Sequence, residues 1–229
     1  MIKRELYMNR IRPFIGGELI KVMTGIRRSG KSVMLELIKE ELAEAGVAPS
    51  QMISINFEDM RYSHLQTATA LHDEIIKRAE GIEGKAYLFF DEIQEVEGWE
   101  KCVNSLRVAL DCDIYITGSN AKLLSGELAT YIGGRYVEFV IYPFSFAEFL
   151  ELYHTIAPSD SIQQCFQKYL LAGGMPYLAN LRYEEEPSRQ YLTDLFNSVQ
   201  LKDIVKRNKI RDIDLLERII AYMTANVGT

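Results

Sequence analysis

The segment Gly25 to Ser32, which reads GIRRSGKS, fits the pattern G-x-x-x-x-G-K-[ST] at every fixed position. Glycines let the backbone wrap so tightly that successive N–H groups point into one concavity, which holds a polyphosphate. The helix that follows adds the positive end of its dipole. Lys31 is predicted to reach the terminal phosphates, and the Ser32 hydroxyl is predicted to ligate Mg²⁺. The predicted nucleotide-binding residues are Gly25, Ile26, Arg27, Arg28, Ser29, Gly30, Lys31, Ser32 and Val33.

Two adjacent carboxylates, Asp91 and Glu92, follow the apolar run YLFF at residues 87–90. A strand buried by its neighbours delivers such side chains to the carboxyl edge of a parallel sheet, where ligands bind in open α/β folds. Asp91 is predicted to hold Mg²⁺ through its water shell, and Glu92 is predicted to orient and deprotonate an attacking water. The pair favours hydrolysis over phosphoryl transfer, because the nucleophile of a small-molecule kinase is its own substrate. Two ordinary charges at a strand end are the plainer alternative.

Two further motifs complete the predicted catalytic set. The stretch TGSN ends the next apolar strand, and either Ser119 or Asn120 is predicted to contact the γ-phosphate or the attacking water. A turn with helix N-cap residues is the alternative for that stretch. Arg135 follows two glycines, and we expect it to act as an arginine finger on the γ-phosphate of a neighbouring subunit. A solvated arginine after a turn is the alternative there.

The elements that must position these residues alternate between strands and helices. Strands are predicted over residues 19–24, 51–57, 86–90, 114–117 and 136–142, from alternating or continuous apolar runs. Helices are predicted after the glycine loop and over 67–79, 99–110 and 122–131. This alternation predicts an α/β fold with a five-stranded, mainly parallel sheet covered on both faces. Beyond residue 144 only helical patterns follow, so we expect a core over 1–156 and a small all-helical unit over 157–229.

The composition limits the classes of partner. The 229-residue chain has a formal net charge of −6, which is no general signature of nucleic-acid binding. The basic stretch 202–211 leaves nucleic-acid binding open, with a solvated helix face as the alternative. No apolar run approaches the length of a membrane span, and the three cysteines are widely spaced. These features predict a cytoplasmic protein without membrane contact.

The order GIRRSGKS, YLFFDEIQ, TGSN, GGRY and YPFSFAEFL resembles the AAA-type ATPases of bacteria and archaea. It is most similar to the group usually joined to a C-terminal domain of unknown function. The resemblance implies a P-loop NTPase sheet in the order 5-1-4-3-2, a helical lid, ATP or ADP with Mg²⁺ as cofactors, and assembly into homo-oligomers. Arg27 and Arg28 match the paired arginines of the group, and for Arg28 a phosphate contact and a structural role both stay open.

The resemblance also implies what lies at the end of the chain. The amphipathic helix over 214–226 is similar to the first helix of a winged-helix-like segment, so the chain is expected to be C-terminally truncated. No second sensor arginine is evident, although Arg207 and Arg211 are candidates. The leading hypothesis is Mg-dependent ATP hydrolysis at a site shared between subunits. The alternative is a nucleotide-operated switch with little turnover, whose output is assembly or the binding of an unknown protein partner.

Overall fold

The computed structural model describes residues 2–118, 132–199 and 212–227. Its strands are β1 (Ile20–Thr24), β2 (Met52–Asn56), β3 (Ala86–Asp91), β4 (Cys112–Thr117) and β5 (Tyr136–Val140). Its helices are α1 (Glu5–Ile11), α2 (Lys31–Glu44), α3 (Ala68–Ala79), α4 (Trp99–Ala109), α5 (Phe146–Tyr153), α6 (Ile162–Ala172), α7 (Glu185–Val199) and α8 (Ile213–Ala225). The helix predicted over 122–131 and the basic stretch 202–211 lie outside the described residues.

The five strands form one sheet in the order β2-β3-β4-β1-β5, and every pairing is parallel. This is the predicted order 5-1-4-3-2 counted from the other edge, so the predicted fold class is confirmed. β5 ends two residues earlier than predicted. The Ile141 N–H still donates to the Thr24 carbonyl oxygen at 2.7 Å, whereas the Tyr142 N–H donates to the Tyr7 hydroxyl at 3.0 Å. The carboxyl ends of β1, β3 and β4 meet at one edge of the sheet.

Both faces of the sheet are buried, as parallel sheets require. One face packs against α3 and α4, which contribute Leu71, Ile75, Val103 and Leu106 to a core that includes Leu88 and Phe90. The opposite face packs against α1 and α2, which contribute Met8, Ile11, Met34 and Ile38 to a core that includes Met23 and Phe89. The short helix α1 is absent from the sequence-based prediction, although it covers the strand that leads into the glycine loop.

A buried ion pair fixes the amino-terminal edge of the sheet. The side chains of Lys21 and Asp113 are fully buried, and the Lys21 amine donates a hydrogen bond to the Asp113 carboxylate. The other carboxylate oxygen accepts from the Tyr115 hydroxyl and from the Gly16 N–H, each at 2.7 Å. Burial lowers the pKa of Lys21, and the nearby Asp113 offsets part of that effect. The pair therefore holds the segment before β1 against β4.

The chain divides into two compact units, Met1–Ala179 and Asn180–Thr229. Within the first unit, α5 and α6 pack through aromatic rings, since the Phe146 and Phe166 ring centroids lie 5.1 Å apart. The second unit contains α7 and α8, and Asp212 caps α8 by accepting from the Leu215 N–H at 2.8 Å. Within the described ranges, no helix has the length and apolar character needed to cross a membrane.

Candidate functional site

The glycine loop, residues 25–30, connects the end of β1 to the start of α2, as the motif predicts. Gly25 has a φ of 143°, and a Cβ atom at this position would lie 2.2 Å from the carbonyl oxygen of Ile141. Gly30 has a φ of 100° and is the N-cap of α2. Both positions therefore need glycine, the first for space as well as for backbone conformation. The loop amides and the amino terminus of α2 meet at the carboxyl edge of the sheet.

Lys31 is the first residue of α2, and its side chain is 5% exposed. Its amine donates to the carbonyl oxygens of Gly25, at 3.3 Å, and of Ile26, at 3.2 Å. The same nitrogen lies 3.9 Å from a carboxylate oxygen of Glu92. The amine is therefore folded back over the loop and faces the predicted general base. This places a positive charge between the loop and the end of β3.

Asp91 is the last residue of β3 and is 5% exposed. One carboxylate oxygen accepts a hydrogen bond from the Thr117 hydroxyl, and the other accepts from the Asn56 amide at 3.2 Å. Thr117 is the last residue of β4, and Asn56 is the last residue of β2. The carboxylate is thus held from both neighbouring strands, which fixes its orientation at the sheet edge.

Glu92 has a left-handed backbone with a φ of 55°, which is uncommon for a residue other than glycine. Its N–H donates to the Thr117 hydroxyl at 3.0 Å, so one hydroxyl holds both members of the acidic pair. Its carboxylate accepts a hydrogen bond from the Gln94 amide. Because the left-handed residue ends the strand, the Glu92 side chain turns toward the amine of Lys31 instead of continuing the alternation of β3.

The oxygen donors at this edge suit Mg²⁺. Ser32 and Asp91 line a cleft together with Ser54 and Asn56, and all four residues offer oxygen atoms, which are the ligands that Mg²⁺ prefers. In the described part of the chain, no group of three or more His, Cys, Asp or Glu side chains could hold a metal ion. With Ser32 and Asp91 as protein ligands, this cleft fits a cation that takes the rest of its ligands from water and phosphate, which is how Mg²⁺ is usually bound.

The remaining loop residues differ in exposure. Ile26 is 53% exposed and Val33 is 38% exposed, so both offer apolar surface beside the loop. Arg27 lies 3.7 Å from the carboxylate of Glu58. Arg28 is exposed and has a φ of 62°. The hydroxyl of Ser29 is buried and makes no hydrogen bond within the described ranges.

Arg135 lies at the amino-terminal ends of the strands, whereas the glycine loop lies at their carboxyl ends. It directly precedes β5, and its carbonyl oxygen accepts from the N–H of Ile20, the first residue of β1, at 3.0 Å. Its side chain is exposed and donates to the Asn104 side chain at 2.9 Å. A five-residue strand spans roughly 17 Å, so Arg135 is separated from the loop of its own chain by about that length. Ser119 and Asn120 lie outside the described residues.

Sequence reasoning missed three residues that support this site: Thr117, Asn56 and Arg4. Thr117 belongs to the TGSN stretch, but only the residues after it were expected to act. Asn56 ends β2 as Asp91 ends β3, but the predicted strands ended at residues 57 and 90, so the sequence did not show this shared position. Arg4 donates to the carbonyl oxygen of Ser29 at 2.9 Å, and nothing in the local sequence around Arg4 indicates that contact.

Comparisons with known structures agree with this fold. The chain is similar to AMPPCP-bound DnaA from Aquifex aeolicus, with a TM-score of 0.52 and 13% identity over 100% of this chain and 71% of that chain. It is also similar to a mutant form of RuvB from Thermotoga maritima, with a TM-score of 0.52 and 13% identity over 98% of this chain and 75% of that chain. At this level of identity the likeness concerns the fold alone.

Two curated relatives are closer in sequence. An uncharacterized protein of Haemophilus influenzae is 40% identical over 229 residues, which are 100% of this chain and 56% of the relative. The uncharacterized protein MJ1544 of Methanocaldococcus jannaschii is 33% identical over 219 residues, which are 90% of this chain and 47% of the relative. The chain thus spans about half the length of the curated relatives it matches.

Family models match most of the sequence. Residues 163–229 match a domain of unknown function (DUF8612). Residues 18–150, more than half of the chain, match an AAA domain, and this match contains both the glycine loop and the Asp91–Glu92 pair. Together with the fold, the match supports a nucleotide-binding function of the ATPase type. The chain belongs to the AAA domain family and carries a domain of unknown function at its C-terminal end.

Proposed function

We propose that this chain binds Mg-ATP at the carboxyl edge of its sheet and hydrolyses the β–γ phosphoanhydride. The observation that carries the proposal is the meeting of Lys31, Asp91 and Glu92 at that edge, with the Lys31 amine 3.9 Å from the Glu92 carboxylate. A lysine on a glycine loop, a carboxylate held at a strand end and a second carboxylate beside it form the set that phosphoanhydride hydrolysis requires.

The loop supplies the binding energy in this proposal. Its amides and the amino terminus of α2 receive the phosphate oxygens. The Lys31 amine, which donates to two loop carbonyl oxygens in this structure, turns to the phosphate oxygens when nucleotide binds. Ser32 and Asp91 would hold Mg²⁺, with Asn56 supporting Asp91. When bound, Mg²⁺ would neutralise negative charge on the phosphates.

Glu92 acts as the general base that orients a water and takes its proton. Its hydrogen bonds define the geometry of that task, because the Thr117 hydroxyl fixes its backbone and the Gln94 amide holds its carboxylate. Ser119 or Asn120 is proposed to report the γ-phosphate from the end of β4.

The site is proposed to be completed by a second copy of the chain. Arg135 is exposed at the amino-terminal ends of the strands, away from the glycine loop of its own chain, so in this proposal it acts on the loop of a neighbouring subunit. An arginine finger contributes roughly 10³-fold or more to the rate of such reactions. We therefore propose a homo-oligomer. We also propose that residues 1–156 form the ATP-binding core and that residues 157–229 form a helical lid and the start of a winged-helix-like segment.

A switch with little turnover is the second candidate. The same placement of Arg135 favours it, because a chain without a neighbour has the residues for binding but lacks the arginine finger. In that case nucleotide binding would control assembly or a protein partner. Nucleotide that copurifies with the protein, and slow turnover that does not rise with protein concentration, would support the switch over the hydrolase.

The test compares the same glutamate-to-glutamine substitution at two positions that are three residues apart. Glu92→Gln removes the proposed base, whereas Glu95→Gln makes the same chemical change at an exposed neighbour in the turn after β3. We expect Glu92→Gln to bind Mg-ATP and to lose turnover by at least about 100-fold, because general-base catalysis contributes roughly 10²–10⁴-fold. Glu95→Gln should behave as the wild type. Equal loss in both variants, or turnover that survives in Glu92→Gln, would contradict the proposed role.

A further inference from the structure

Arg4 contacts three separate segments of the chain with its buried guanidinium. It precedes α1 in a left-handed conformation, with a φ of 48°, and is 2% exposed. One terminal nitrogen donates to the Ser29 carbonyl oxygen in the glycine loop at 2.9 Å. The other donates to the Tyr142 carbonyl oxygen after β5 at 2.8 Å. The inner nitrogen donates to the Glu148 carboxylate in α5 at 2.9 Å.

The contact with Ser29 sets the direction of one loop amide. The C=O and N–H of a trans peptide point in opposite directions, and the described residues contain no cis peptide. Because Arg4 holds the Ser29 carbonyl, the N–H of Gly30 points away from Arg4. That N–H is one of the donors the glycine loop offers to phosphate. Arg4 thus orients a phosphate donor without standing among the predicted phosphate ligands.

Glu148 fixes the other side of the guanidinium. Its carboxylate also accepts from the N–H of Ser145 at 2.8 Å and from its hydroxyl at 3.0 Å, in a capping box at the start of α5. Burial raises the pKa of Glu148, but the hydrogen bonds from Arg4 and Ser145 outweigh it and hold that pKa below the ordinary value. The carboxylate is therefore ionised, and a buried ionised pair is stable only while its geometry is kept.

The same contacts continue into α6. The guanidinium of Arg4 lies 5.1 Å from the centroid of the Phe144 ring. The Phe144 N–H donates to the Gly174 carbonyl oxygen at 2.7 Å, and the Phe144 carbonyl oxygen accepts from the Tyr169 hydroxyl at 2.9 Å. A Cβ atom at Gly174 would lie 2.0 Å from that carbonyl oxygen, so the approach requires glycine. Contacts thus run without a gap from Ser29 through Arg4 to α6.

We propose that Arg4 is a positioning residue that couples the glycine loop to the segment 142–148, an inference that rests on the nucleotide site proposed above. Phosphate bound to the loop amides restrains the peptide between Ser29 and Gly30. Arg4 transmits that restraint to Tyr142 and Glu148, which begin the helical part of the first unit. Arginine suits this role because its planar fork bonds several acceptors in fixed directions, which a lysine amine cannot do.

The experiment compares Arg4→Lys with the matched control Arg12→Lys. Arg12 lies in the same amino-terminal segment and donates to Glu5 at 2.7 Å and to Glu41 at 2.8 Å, but it contacts neither the loop nor segment 142–148 in these bonds. Hydrogen–deuterium exchange is followed with and without saturating Mg-ATP, and the Kd is measured with a fluorescent ATP analogue. Glu148→Gln is the second variant, because it weakens the same coupling from the other side if Arg4→Lys does not fold.

In the wild type and in Arg12→Lys, we expect Mg-ATP to slow exchange in residues 25–32 and also in residues 142–148. In Arg4→Lys, the Kd should rise by about tenfold because the Gly30 N–H is no longer held in the direction that meets phosphate. At saturation its loop should still be protected while residues 142–148 are not. Equal protection of 142–148 in Arg4→Lys and the wild type, or none in the wild type despite a protected loop, would overturn the coupling. A wild type that binds no Mg-ATP would instead refute the nucleotide site.

Discussion

Replacing Thr117 by valine should separate the acidic pair from the strand that holds it. The threonine is fully buried, and its hydroxyl donates to Asp91 and accepts from the Glu92 N–H at 3.0 Å. Losing a hydrogen bond to a charged group costs about 1.5–3 kcal/mol, and leaving a buried amide unpaired costs about 1–3 kcal/mol. The extra buried methyl group of valine returns about 0.8 kcal/mol. We expect Thr117→Val to lower the free energy of unfolding by about 2–5 kcal/mol.

Urea denaturation measures this loss, and Thr117→Ser is the control because serine keeps the hydroxyl and loses only a buried methyl group. That variant should cost about 1 kcal/mol. In folded protein, Thr117→Val should also reduce ATP turnover by about tenfold or more, because small displacements of reacting groups have effects of that size. Equal unfolding free energies for the valine and serine variants would show that the hydroxyl does not hold Asp91 and Glu92, and would refute the reasoning.

Three further predictions concern the loop, the buried ion pair and the thiols. Gly25→Ala should abolish Mg-ATP binding in a titration, because its Cβ atom would lie 2.2 Å from a carbonyl oxygen. The control Gly46→Ala, whose Cβ atom would meet nothing within 4 Å, should bind Mg-ATP normally and lose only about 1 kcal/mol of unfolding free energy in urea. Lys21→Met should lower the unfolding free energy by about 3–5 kcal/mol, since it leaves a buried carboxylate unpaired, and a urea midpoint near that of the wild type would contradict this. Burial raises the pKa of Cys102 to about 12 and that of Cys112 to about 11, so at pH 8 a thiol reagent should modify them only as fast as the protein unfolds.

The order of the sheet, and the placement of the glycine loop and Asp91 at its carboxyl edge, could be predicted because local patterns and a family resemblance specify them. The glycine loop has a fixed spacing, and an apolar strand followed directly by Asp91 places that carboxylate at the sheet edge whatever the rest of the chain does. The strand order came from the resemblance, because no local pattern specifies which strands are neighbours. The placement of Arg135 at the amino-terminal ends of the strands follows from its position before β5 in a parallel sheet.

The supporting contacts could not be predicted, because they join residues that are distant in sequence. Arg4 pairs with Glu148, 144 residues away, and neither residue stands in a pattern that names the other. Thr117 was counted only as a strand residue, since a hydroxyl at a strand end has many ordinary roles. The helix α1 was missed because it has only seven residues and its apolar face is interrupted by charged residues. The buried residues of that face are Tyr7, Met8 and Ile11.

The central claim, a Mg-ATP hydrolase whose site is completed by a second chain, is tested most directly by the steady-state ATPase rate per chain against protein concentration. The wild-type rate should climb with concentration until the oligomer is formed. Glu92→Gln should abolish turnover at every concentration, and Arg135→Ala should remove the rise while leaving Mg-ATP binding intact. A wild-type rate that is independent of concentration, or an Arg135→Ala variant as active as the wild type, would contradict the shared site.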